Sequence, residues 1–156
     1  MEELRLWHYT TAGRIDEIIE SGEIRATKFN ATSLREKPTV WVSSNPLWER
    51  TATKMIADDS GNITTLSMAE QHELMGLGRI EIFNDTPDLF TWHRFKNYIA
   101  PKKQIARDME AAGIKNGANP LEWYGSHNPI EKIDWIKAEI WDGKQWQLHT
   151  IFEHEE

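Results

Sequence analysis

The dipeptide Asp142-Gly143 separates two runs, 134–141 and 145–152, in which Trp, Ile, Leu, Thr and Phe are interleaved with polar residues. Asp-Gly is suited to the positive-φ turn of a short hairpin loop, and alternation with period two is the pattern of a half-buried strand. The end of the chain is therefore read as an antiparallel two-stranded hairpin, and any fold proposed for the rest has to include it.

Upstream, strand and helix signals are mixed. Residues 4–10 form a short apolar strand, and Thr10 or Thr11 can cap a helix over 12–21 with Ile15, Ile18 and Ile19 on one face and Gly22 as its stop. Residues 23–26 read as a brief extended piece, and the run 39–43 after Pro38 reads as a β-branched and aromatic strand. Asn45-Pro46 marks a turn, with Pro46 opening a helix to residue 57. A polar loop over 58–64 precedes a helix over 67–77, where Ser67 and Glu70 stand at capping-box spacing. Residues 78–83 alternate as a strand, 85–88 break it, and 90–99 are aromatic and ambiguous between helix and loop. A helix over 101–112 ends at Gly113, a loop covers 115–120, and 121–124 form a strand before the Asn128-Pro129 turn. With strands at both ends and helices between, the fold class is α+β, a single domain over 1–156 with split mixed β-sheets and the helices inserted between the N-terminal and C-terminal strands.

Composition narrows the chemistry. The 156 residues carry 18 basic and 25 acidic side chains, a net charge of −7, which argues against sequence-independent coating of nucleic acid. With 39% hydrophobic and 28% charged residues, the chain has the composition of an ordinary globular protein. Cysteine is absent, so disulfides, thiolate zinc sites and cysteine nucleophiles are excluded. The N-terminus lacks a signal-peptide pattern and no stretch is long and apolar enough for a membrane span, so the expectation is a cytoplasmic protein without membrane partners. Eight tryptophans are expected to divide between a groove and the core.

There is no P-loop, no complete Gly-x-Gly-x-x-Gly, no serine nucleophile elbow at Gly125-Ser126-His127, and no His-Glu-x-x-His; no metal is expected. The tail 153–156 reads as frayed and solvated. Three segments carry more: Leu6-Trp7-His8-Tyr9-Thr10 at a strand end, Val40-Trp41-Val42-Ser43-Ser44 before a turn, and Asn119-Pro120-Leu121-Glu122-Trp123-Tyr124 where a loop enters an aromatic strand. Taken singly these have ordinary explanations: a packed histidine, helix-capping serines and a surface carboxylate.

Taken together, the three segments resemble the ADP-ribosyltransferase superfamily, and within it the His-Tyr-Glu branch of the poly(ADP-ribose) polymerases and diphtheria-type toxins. The resemblance covers about half the chain, mainly its two ends. It implies an NAD-dependent ADP-ribosyltransferase, or NAD glycohydrolase, that uses NAD as substrate with no metal. By the same resemblance, Glu122 is the catalytic carboxylate. His8 would bind the adenosine ribose, and Tyr9, through its backbone, the nicotinamide amide. Thr10 supplies an adjacent hydroxyl, and Trp41 and Ser43 the second motif. Trp41 stands where the family has Tyr, and Tyr9 where the polymerases have Gly. Thr51, with Ala52, matches a Ser/Thr-Ala pair near the nicotinamide.

The residue types suit the reaction. Cleavage of the nicotinamide–ribose bond develops oxocarbenium character, which a carboxylate stabilises as the charge forms. An aromatic wall, Trp41 with Tyr9, would stack on the cationic pyridinium. Arg25 is the candidate donor to the diphosphate, a surface ion pair being its ordinary alternative. The acceptor, protein or nucleic acid, would be chosen by the loops 58–64, 84–98 and 115–121, with Trp92, His93 and Arg94 as candidate contacts. Two alternatives stand beside this reading: a catalytically inactive module of the same fold, and an NAD-dependent RNA 2′-phosphotransferase.

Overall fold

The computed structural model describes residues 3–26, 38–99 and 103–154. In chain order the elements are β1 (Leu6–Thr10), α1 (Ala12–Ser21), β2 (Glu23–Ile24), β3 (Val40–Ser43), β4 (Met55–Ala57), β5 (Ile63–Thr65), α2 (Met68–Met75), β6 (Gly78–Ile82), β7 (Leu89–Thr91), α3 (Trp92–Ile99), α4 (Lys103–Lys115), β8 (Trp123–Ser126), β9 (Ile130–Glu131), β10 (Trp135–Trp141) and β11 (Trp146–Ile151). Single 3-10 turns occupy Arg50–Ala52, Pro120–Glu122 and Lys132–Asp134.

A seven-stranded sheet runs in the order β11-β10-β6-β1-β3-β8-β7, with two small pairs, β2-β9 and β4-β5, beside it. Every described strand pair is antiparallel, so the α+β class holds while the expected mixed sheets are corrected to one antiparallel sheet with satellites. The 142–143 hairpin forms as expected, and it extends the sheet through β10 to β6.

The two faces of the sheet bury different cores. On one, Leu6, Val40, Val42, Ile80 and Ile82 pack with Ile15 of α1 and with Trp135 and Phe152. Ile15 is fully buried, which contributes about 2 kcal/mol. It sits so close to β6 that a Cβ at Gly78 would lie 2.3 Å from its Cγ1. The other face carries two aromatic clusters, Trp7, Tyr9, Trp48 and Leu77 in one and Trp92, Phe95, Ala106 and Trp123 in the other. β6 lies centrally and all five of its residues are buried, including Arg79 and Glu81. Those charges are paired, Arg79 with Glu139 at 2.9 Å and Glu81 with Arg5 at 2.8 Å, as buried ions must be.

Local expectations held where the signal was a cap or a turn. α1 ends at Gly22, which adopts φ 81 as glycine readily does, and α2 carries the Ser67–Glu70 capping box. They failed where tertiary contacts decided. The helix expected over 46–57 is absent: Asn45 Oδ1 accepts the N–H groups of Leu47 and Trp48 as a cap would, but Glu49 turns extended (φ −89, ψ 113) and only the 3-10 turn Arg50–Ala52 follows. The expected polar loop 58–64 is mostly the tip of the β4–β5 hairpin. Gly113 does not stop α4; it lies inside the helix, where the missing side chain admits the Trp123 ring. The strand expected at 121–124 starts at Trp123, Glu122 ending the 3-10 turn before it. Within the ambiguous 90–99 segment, β7 gives way to α3 at Trp92. His154 is docked by its Nε2 on the Trp135 carbonyl at 2.6 Å, so the tail is held up to that point, while Glu155 and Glu156, like residues 101–102 of the expected fourth helix, lie outside the described residues.

Candidate functional site

β1 pairs with β6 over five registered positions and β3 with β8 over four, yet β1 and β3 share one, Trp7 opposite Ser43. Registered pairing thus joins the two halves of the sheet at one position. His8, the next residue of β1, reaches across: its Nδ1 lies 2.8 Å from the Trp41 carbonyl of β3. A side chain bridges the two strands where their registered pairing ends.

Beside that position lies a cavity of about 560 Å³, within the range of sites for small molecules and cofactors. Its walls come from β1, α1, β2, β3, the segment 49–55, α4 and Trp123. His8, Tyr9, Thr10, Arg25, Trp41, Ser43 and Thr51 all line it, although they lie in separate stretches of sequence. Glu122 does not. It precedes the lining residue Trp123 in the chain; its half-buried carboxylate accepts from Asn45 Nδ2 at 3.3 Å, while its backbone carbonyl accepts from Ser44 N at 3.0 Å.

Each of these residues has a local reason for its position. Burial holds the His8 imidazole below the ordinary histidine pKa, and Lys54 and Arg14 push it further down; the Trp41 carbonyl opposes them. His8 is neutral near pH 7, its Nδ1 proton is donated to Trp41, and its Nε2 is left as an acceptor. The Tyr9 side chain is not part of an open aromatic wall, contrary to expectation. Its ring packs edge-on to Trp48 at 5.2 Å, its hydroxyl donates to the Asn45 carbonyl, and burial raises its pKa. Trp41 is half-buried, lines the cavity and packs on Trp92 and Phe95. Ser43 is buried; its hydroxyl donates to Glu49 Oε1 at 2.8 Å and accepts from Asn45 N, so its role is internal. Thr51 directs both its backbone N–H and its hydroxyl to Glu49 Oε2. It sits in a 3-10 turn, not in the expected helix.

Arg25 makes the exposed ion pair with Glu23, at 2.9 Å, that was its ordinary alternative. Trp92 is corrected from a target contact to a core residue: it is buried and its indole donates to Glu110 at 2.8 Å. His93 and Arg94 are exposed.

Three features escaped sequence reasoning. Glu49 is a buried carboxylate at the cavity wall that accepts from Ser43, from Thr51 twice, and from the Trp123 indole at 3.1 Å, joining β3, the 3-10 turn and β8. Arg50 and Lys54 line the cavity, and among the described residues neither has an ion-pair partner. Asn45 links the turn to Glu122. Within a stretch read as a helix, Glu49 carried no signal of its burial, and Arg50 and Lys54 none of their place on the cavity. Among the described residues no group of acidic and histidine side chains is arranged to hold a metal, and no helix is long and apolar enough to cross a membrane. Comparison of the chain with protein-family models, curated proteins and solved structures found no match.

Proposed function

We propose that the protein cleaves NAD at its nicotinamide–ribose bond and transfers ADP-ribose to an acceptor, on an ADP-ribosyltransferase-like fold. The observation that carries this reading is that His8, Thr10, Trp41 and Thr51, from separate stretches of sequence, line one cavity beside the single registered pair of β1 and β3, with Tyr9, Ser43 and Arg25 lining it while bonded to other groups of the protein. The cavity also suits an anionic dinucleotide chemically: it offers Trp41, the His8 Nε2 acceptor and the cations Arg50 and Lys54, which have no ion-pair partner among the described residues. The buried indole N–H of Trp7, which also lines the cavity, has no hydrogen-bond partner among the described residues.

In the proposed reaction the bond from the nicotinamide nitrogen to ribose C1′ breaks and its electron pair leaves with nicotinamide. C1′ gains a bond to the acceptor, or to water, which gives up a proton. Glu122, next in the chain to the cavity-lining Trp123, stabilises the oxocarbenium charge as it develops. Trp41 stacks on the pyridinium and excludes water. His8 holds a ribose hydroxyl, which orients the substrate.

Nicotinamide release from NAD, compared between the parent and Glu122→Gln, tests the reading. Release by the parent, lowered by at least about a hundredfold in the variant, is expected for removal of a group acting on the transition state. Equal, background release from both would instead favour an inactive module of this fold. The cations lining the cavity also suit an RNA 2′-phosphotransferase. An oligonucleotide carrying an internal 2′-phosphate, incubated with NAD, separates the two: loss of that phosphate would select the second activity.

A further inference from the structure

We infer that Asn45 is the positioning residue for Glu122, held by a turn that three strands fasten from outside. This deepens the NAD-cleaving reading and depends on it for the catalytic consequence, but not for the contact itself. Asn45 Oδ1 accepts the N–H groups of Leu47, at 2.9 Å, and Trp48, at 3.3 Å. Two donors on one atom identify it as the carbonyl oxygen, so the amide orientation is set by bonding on both sides. The NH2 group is then turned outward, where Nδ2 meets Glu122 Oε1 at 3.3 Å.

The turn itself has little freedom. Its three successive carbonyls each accept from a side chain of a different strand. Tyr9 of β1 donates its hydroxyl to Asn45, Arg79 of β6 donates Nη1 to Pro46 at 2.6 Å, and Trp146 of β11 donates its indole N–H to Leu47 at 2.8 Å. Arg79 is itself fixed, paired with Glu139 and stacked between Trp7 and Trp146, with its carbon Cζ 4.7 and 4.5 Å from the two ring centres. Asn45 N donates to Ser43 Oγ, which ties the start of the turn to β3. A polar cap needs only the Oδ1 bonds. The surrounding bonds fix where Nδ2 points, and the group it reaches is the half-buried carboxylate of Glu122, the residue before the cavity-lining Trp123. A donor so placed holds Glu122 in one rotamer without a charge of its own, the arrangement a preorganised site requires.

Two arms test this. The first does not involve NAD: in the 1H–15N spectrum of the protein, Glu122→Ala should shift the Asn45 side-chain NH2 pair and leave the Leu47 and Trp48 backbone amides in place. An unmoved NH2 pair overturns the contact. The second compares Asn45→Asp and Asn45→Ser, both of which keep an oxygen to cap Leu47 and Trp48 but lose the donor to Glu122. Both should melt close to the parent, keep the KM for NAD within about twofold, and lower kcat on the order of tenfold to a hundredfold, the effect of a misplaced reacting group. A purely structural Asn45 would leave kcat unchanged in the uncharged serine variant, and that result refutes the positioning role. If the parent itself releases no nicotinamide, the NAD reading fails while the spectral arm still decides the contact.

Discussion

Gly113→Ala and Gly13→Ala make the same chemical change in two helices and should have opposite effects. In α4, a Cβ on Gly113 would lie 2.5 and 2.6 Å from Cζ2 and Cη2 of Trp123, about 1 Å inside ordinary contact. The indole cannot move away freely, because its N–H is bonded to Glu49 at 3.1 Å and its ring stands edge-on to Trp92 at 5.4 Å. Overpacking of this kind costs about 1–3 kcal/mol, and straining the bond to a buried carboxylate adds about 1 kcal/mol. The helix gain of alanine over glycine returns roughly 0.5–1 kcal/mol. The net is a loss of about 1–3 kcal/mol, or a fall in Tm of very roughly 3–10 °C for a chain of this size. Gly13 in α1 has nothing within 4 Å of its virtual Cβ, so there the helix gain stands alone and stability rises by about 0.5–1 kcal/mol. Denaturant melts of both variants supply the measurement. A third melt sharpens it: phenylalanine lacks the two indole atoms that clash, so in a Trp123→Phe background Gly113→Ala should cost less by about 1 kcal/mol or more, as a coupling between contacting residues. A neutral Gly113→Ala, or a cost unchanged by Trp123→Phe, would refute the packing at this wall of the cavity.

Two further outcomes follow from the site. Because burial lowers the His8 pKa below its ordinary 6.5, the unfolded chain binds the extra proton between the two values. Its contribution to stability is therefore intact above about pH 6.5 and is lost as the pH falls through that window. Parent and His8→Gln, melted near pH 7.5 and near pH 5, should converge on the acid side; a parallel decline would refute the assignment. For substrate binding, Lys54→Gln or Arg50→Gln should raise the KM for NAD by about threefold to thirtyfold, as loss of an exposed charge-assisted contact does. Arg25→Ala, whose guanidinium is already paired with Glu23, should change it by less than about threefold; steady-state kinetics in which Arg25 matters most would reverse this ranking.

The local code was readable wherever a few adjacent residues determine the backbone. The Asp142-Gly143 hairpin, the Ser67–Glu70 box and the Gly22 stop each depend on near neighbours, and each formed. The candidate site was legible in part for a related reason: His8, Trp41 and Ser43 lie on strands whose ends could be read, so their arrival at a common cavity required only that the strands pair as neighbours.

What the chain could not disclose was decided by contacts far apart in sequence. The 46–57 segment has the proline, cap and polar residues of a helix, and the Asn45 cap does form. The helix does not propagate, because the buried Trp48 and the Glu49 carboxylate, which meets Ser43 and Trp123, favour an extended turn there. Gly113 reads as a helix stop by its type and serves as clearance for a ring ten residues away. The sequence by itself determined the α+β class and the terminal hairpin, since these rest on periodicity and turn chemistry, while the seven cavity-lining residues it singled out came from the resemblance of three segments to a known family. Only the tertiary structure decided that one antiparallel sheet has a single registered pair between β1 and β3, that Glu49 is buried at the cavity wall, and that Glu122 meets Asn45. Those depend on packing between distant segments, whose free energy no local window contains.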